Sequence, residues 1–119
     1  MVIVVDGKND VRDYIYTYID QGGLGTDTTS SPSESDDGLN ATSGSLGTSG
    51  TIKSTTNTAA DKSVKFEYTL PSTDGNGNTF TEFGLSNSTT GKLFNRQTFI
   101  GVSKTSAVEF SILVVCAIE

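Results

Sequence analysis

Val64-Lys65-Phe66-Glu67-Tyr68-Thr69-Leu70 alternates apolar and polar residues without a break. That period of two is the pattern of a β-strand with one face buried. Pro71 ends the strand. Asp74-Gly-Asn-Gly-Asn78 follows, residues that tolerate positive φ and suit a hairpin connection. Phe80, Phe83 and Leu85 continue as a second strand whose uneven spacing around Gly84 predicts a bulge. Ser88-Thr-Thr-Gly91 turns the chain, Leu93 to Ile100 makes a further strand, and Ala107 to Ile118 is expected to be the longest. In that last strand Val108, Phe110, Ile112, Val114, Cys116 and Ile118 share one face, while Leu113 and Val115 make the other face apolar too. A strand apolar on both faces belongs in the middle of a covered sheet or at a subunit interface.

Upstream of this β-rich part (62–119) the pattern changes. Val11, Tyr14, Ile15, Tyr18 and Ile19 fall on one face of an α-helix. The expected helix covers about 10–21, with Asn9 or Asp10 as N-cap and Gly22-Gly23 as the stop. Tyr16 lies off the stripe and is expected to be exposed. Residues 22–60 then read as a long Gly/Ser/Thr-rich loop region. Within it, Ser31-Pro-Ser-Glu34 has the form of a capping box, and Gly44, Gly47 and Gly50 recur without the proline of a collagen repeat. Thr51 to Thr58 is β-branched but poor in apolar groups, which suits an exposed or edge strand. Altogether the chain reads as one mainly β domain, an antiparallel β-sandwich with one N-terminal α-helix.

Composition limits what such a domain does. With 119 residues there is room for one core. Counting glycine and omitting tyrosine, about 41% of residues are apolar, below the roughly 45–50% of ordinary soluble domains. A core this thin needs support from disulfides, metal or oligomerisation. Cys116 is the single cysteine and histidine is absent, so an intrachain disulfide is impossible and a zinc or haem site is not expected. Oligomerisation remains, with a homo-trimer the preferred form.

The formal charge of −6 and the scattered basic residues argue against nucleic acid as a partner. Met1-Val-Ile-Val-Val5 ends at Asp6, too short for a signal-peptide core, and no run approaches a membrane span. Neither a membrane partner nor secretion is expected, so synthesis in a cytoplasm is. The sequons at Asn40 and Asn87 are then chance matches in a Ser/Thr/Asn-rich chain.

No motif reaches a catalytic arrangement. Asp74, Asn76 and Asn78 match three positions of a calcium loop, but Thr79 stands where its glycine belongs and Leu85 where its glutamate belongs. Gly22-Gly-Leu-Gly25 lacks the preceding strand and the lysine of a phosphate loop. Asp36-Asp37 reads as a solvated pair. Cys116 has no histidine to activate it and reads as a buried inert thiol, and a Ser-His-Asp triad is impossible. No catalytic residue, metal site or cofactor is expected. Arg96 and Lys104 flank the final strands and read as surface charges, with an intersubunit ion pair the sharper alternative. Together with Leu113 and Val115 they form the candidate interface.

The run Phe80-Thr-Glu82-Phe-Gly84-Leu85-Ser-Asn87, then Leu93-Phe-Asn-Arg96-Gln-Thr-Phe99, Lys104-Thr105 and Val108-Glu109-Phe110-Ser-Ile112, resembles small virion proteins of tailed phages and archaeal tailed viruses. The helix followed by Leu24-Gly-Thr26 and a Ser/Thr/Asp-rich stretch ending near Gly38-Leu39 resembles their N-terminal halves, so the resemblance covers most of the chain. It implies a β-sandwich scaffold and a non-enzymatic structural role in the virion, assembled in the host cytoplasm. Its partners would be copies of itself and the major capsid protein or tail proteins. The chain has no heptad shaft and no room for a receptor-binding head, which favours a capsid decoration protein over a tail-collar, baseplate or fibre-attachment component. A carbohydrate-binding β-sandwich module is the alternative from another class. Trp is absent and most aromatics sit at core-periodic positions, which speaks against it.

Overall fold

The computed structural model describes residues 1–26, 31–33, 52–60 and 62–118. Over these residues the fold is mainly β, with one helix, α1 (Val5–Tyr18), and two antiparallel sheets. The first sheet contains β1 (Gln21–Gly25), β2 (Ile52–Ser54), β5 (Thr79–Ser86) and β6 (Leu93–Ser103), in the order β2-β1-β5-β6. The second contains β3 (Thr56–Ala60), β4 (Ser63–Leu70) and β7 (Phe110–Ala117), in the order β3-β4-β7. The arrangement is sandwich-like.

The alternation from Val64 to Leu70 forms β4, the central strand of its sheet, and its four apolar side chains are buried. They meet Leu24, Phe80, Phe83 and Leu85 from the other sheet. Tyr68 contacts Phe83 edge-on with ring centroids 5.3 Å apart, one of the contacts that join the sheets. In β5 the pairing with β6 shifts between Phe80 and Glu82 and again between Leu85 and Ser86, so the irregularities flank Gly84 instead of centring on it. The first shift lets Phe80 and Phe83, three residues apart, both reach the core. At the second, Asn95 Oδ1 accepts the Leu85 N–H at 3.0 Å.

Several expectations need correcting. The segment Asp74 to Asn78 does not close a hairpin; it carries the chain from β4 in one sheet to β5 in the other, with Gly75 and Gly77 at φ of 69° and 89°. β6, at 11 residues, is the longest strand, and β7 has 8. β7 is not central either: among the described residues it pairs with β4 alone and lies at the rim of its sheet. The stretch read as loop contains β1, β2 and β3. From Ile52 on, the stretch read as an exposed or edge strand divides at Thr55 into β2 and β3, which are outer strands of the two sheets, as its polar β-branched composition suggests. The possible turn at Ser31 to Glu34, the Gly44/Gly47/Gly50 series, Asp36-Asp37 and Asn40 lie wholly or partly outside the described residues.

Helix α1 begins earlier than its spacing suggests, with Val4 as an N-cap that makes no side-chain hydrogen bond. Its packed face is also rotated. Ile15 and Tyr18 pack against the core and Ile19, just past the helix end, is buried, but Val11 and Tyr14 are exposed. Arg12 takes the buried position instead, and its Nη1 donates to the Ile118 carbonyl at 2.9 Å while Nη2 donates to Asn9 Oδ1. Tyr14 and Tyr18 stack on each other at 5.3 Å, and Tyr16 is exposed as expected.

Gly22-Gly23 does not stop the helix; both residues belong to β1. A Cβ on Gly22 would sit 2.7 Å from Tyr68 Cδ2, so the glycine makes room for aromatic rings. The helix end is held by side chains from elsewhere. Asn87 Nδ2 donates to the Tyr18 carbonyl at 2.6 Å, Asn57 Nδ2 to the Ile19 carbonyl, and Asp20 accepts from Ser88 N and Oγ.

Candidate functional site

The sequence leaves two unusual charges near the last strands, and the packing explains both. Arg96 and Glu82 lie on adjacent strands β6 and β5, and their side chains pair at 3.1 Å with 1% and 0% exposure. Gly25 on β1 is opposite Glu82 in the register, and a Cβ there would come within 2.6 Å of Glu82 Oε1. The glycine therefore opens the space that the carboxylate fills. Lys104 is 1% exposed, and its Nζ donates to Asn76 Oδ1 at 2.9 Å and to the Thr105 carbonyl at 3.1 Å. Its backbone also brackets the crossing segment, accepting from Gly77 N and donating to Asn78 O. Neither Arg96 nor Lys104 is a solvated surface charge. Both have polar partners within the chain, Glu82 for Arg96 and Asn76 for Lys104.

The segment resembling a calcium loop is occupied in the same way. Asp74 pairs with Lys53 at 2.6 Å, Asn76 Nδ2 donates to the Ser72 carbonyl, and Asn78 Nδ2 to the Gly75 carbonyl. Among the described residues no group of three or more His, Cys, Asp or Glu side chains is placed to hold a metal ion. Burial, and then the nearby Asp74 carboxylate, hold the Tyr68 phenol well above the usual range. It faces the core, where this reflects structure.

Leu113 and Val115 have the exposure expected of interface residues, at 59% and 53%. They project from β7, an outer strand whose eight residues include no charge, Pro or Gly. Outer strands are usually guarded by such residues, because an open row of backbone donors and acceptors invites another strand. The other face of β7 is incompletely covered: Phe110, Ile112, Val114 and Cys116 are half-buried against the core. Cys116 is thus partly accessible, where a buried thiol was expected.

Across from it, β6 is an outer strand of the other sheet, and Phe94, Phe99, Ile100 and Val102 are exposed along it. Between β6 and β7 the sandwich opens as a slot of about 370 Å³. Leu24, Phe83, Phe99, Val102, Phe110 and Ile112 provide its apolar lining, with Gln97, Glu109 and Ser111 completing it. The slot offers apolar contact and two outer strand edges, the requirements for receiving an extended segment. The apolar Leu113/Val115 side is readable in the sequence, whereas the β6 side is not, because the placing of Phe99 and Val102 on the slot depends on the bulged pairing with β5. Comparison with protein-family models, curated proteins and solved structures finds no match for this chain.

Proposed function

We propose that this protein is a non-enzymatic structural component of a virus particle, a capsid decoration protein that packs on the shell and on copies of itself. The observation carrying the assembly part of this reading is the unguarded β7 strand beside the apolar β6 face, at the open side of the sandwich. An exposed, uncharged outer strand is a liability in a protein that works alone and a contact surface in one that assembles. The motif from Phe80 to Ile112 supports the virion part by its resemblance to small phage and archaeal-virus virion proteins. That motif also contains Glu82, Arg96 and Lys104, whose buried contacts give it a scaffold role.

Electron cryomicroscopy of intact particles of the virus encoding the chain tests the proposal. Density for a two-sheet domain repeated over the capsid shell is the expected result. Density confined to the tail would replace decoration with a tail-collar or fibre-attachment role, and absence from purified particles would overturn the virion reading.

A further inference from the structure

The sequence has two long unbroken apolar runs, Met1–Val5 and Ile112–Ile118. The second supplies most of β7 and begins at Ile112, which lines the slot together with Phe110 and Ser111. The first precedes and begins α1, and all five of its residues are exposed, Val2 at 86% and Ile3 at 52%. Val4 is extended, and Val2 to Val5 are all β-branched, so this arm is suited to β pairing. We infer that the arm of one copy inserts beside β7 in the slot of a second copy, adding a strand at the open side of the sandwich. This inference rests on the reading of the protein as a self-assembling structural module.

Geometry explains why the occupant comes from another copy. Val5 lies with Lys62 and Ile118, at the far end of β7 from the slot. From Ile118 back to Ile112 is six residues, about 20 Å at the usual strand rise. Residues 1–4 span at most about 14 Å when extended. Within a protomer the arm therefore falls short of the slot. A second copy's arm has no such limit and matches about four residues of β7, enough to cover Phe110 to Leu113. Alternate side chains of the arm would enter the apolar lining while its backbone pairs with the β7 edge. Charge favours the same contact: copies with a formal charge of −6 repel, and these two runs contain no charged side chain.

Two measurements test the inference. The first compares the parent with the double variant Val2→Asp/Ile3→Asp by sedimentation velocity and thermal melting. These side chains are exposed, so the variant should still melt cooperatively as a folded unit while self-association, and the part of the melting temperature that association adds, is lost. If the variant associates like the parent, the arm is not the occupant, but the assembly reading stands; a monomeric parent overturns both. The second uses a Cys116→Ser background and mixes chains carrying Ile3→Cys with differently tagged chains carrying Ser111→Cys, both exposed positions. Mild oxidation should give a disulfide-linked heterodimer. If Ser111→Cys chains cross-link among themselves as readily as in the mixture, β7 pairs with β7 of another copy and the inference is wrong.

Discussion

Glu82 on β5 and Arg96 on β6 form an ion pair at 3.1 Å that is almost wholly withdrawn from solvent. A buried pair is a weak source of net stability, but removing one partner leaves an uncompensated buried charge. Arg96→Met alone should therefore cost about 3–5 kcal/mol, read from the denaturant midpoint. The double variant Glu82→Leu/Arg96→Met should recover much of that loss. If the single change were neutral, the pair would have no role in holding β5 against β6.

Gly25→Ala tests the same place from the opposite strand. The added methyl would meet Glu82 at 2.6 Å, in a buried position where little can move. Overpacking of this kind costs about 1–3 kcal/mol. In a Glu82→Ala background the penalty of Gly25→Ala should shrink toward zero, because the side chain it strikes is gone. Equal penalties in the two backgrounds would contradict the contact.

How much of this was legible beforehand varies by element. β4 declared itself, since strict alternation over seven residues has one structural meaning and its face is buried along the whole strand. The helix was legible in existence but not in phase: Arg12 takes the inward position that Val11 and Tyr14 seemed to claim, because the Ile118 carbonyl lies within its reach. Gly22-Gly23 looked locally like a helix stop. It is strand because the rings of Tyr68 and Phe83, more than forty residues away, lie over it. Arg96 and Lys104 were misread for a related reason, as their partners Glu82 and Asn76 become neighbours only through strand pairing and the crossing between sheets. Of the candidate site, Leu113 and Val115 were visible in the sequence; the β6 wall of the slot depended on a bulge whose position local pattern does not specify.

Tyr68 predicts an alkaline limit to stability. Its phenol ionises at higher pH in the folded protein than in the unfolded chain, because burial and Asp74 both disfavour the anion. Above the unfolded value, near 10, the unfolded chain releases this proton while the folded one keeps it. Stability is unaffected by this group below that value and falls above it, by up to about 1.4 kcal/mol per pH unit. Denaturant unfolding from pH 8 upward should show this loss, and Tyr68→Phe should flatten it. An unchanged slope in that variant would place the alkaline sensitivity elsewhere.

Phe66 and Phe110 separate the sealed core from the open side. Phe66 is fully buried on the central strand β4, so Phe66→Ala should cost about 3–5 kcal/mol. Phe110 meets Phe80 edge-on at 6.0 Å but is only half-buried where it lines the slot. Its change to Ala should cost less, about 1–3 kcal/mol, measured on the dissociated protein. Equal losses at the two positions would mean that the slot is closed in solution.

The central claim is that β6 and β7 form a contact surface between molecules, and sedimentation velocity across the micromolar range tests it most directly. The parent should sediment as a homo-oligomer that weakens on dilution, and Leu113→Lys/Val115→Lys, which places charges on the exposed face of β7, should shift it toward monomer without unfolding it. A parent that remains a single monomeric species throughout that range would contradict the claim.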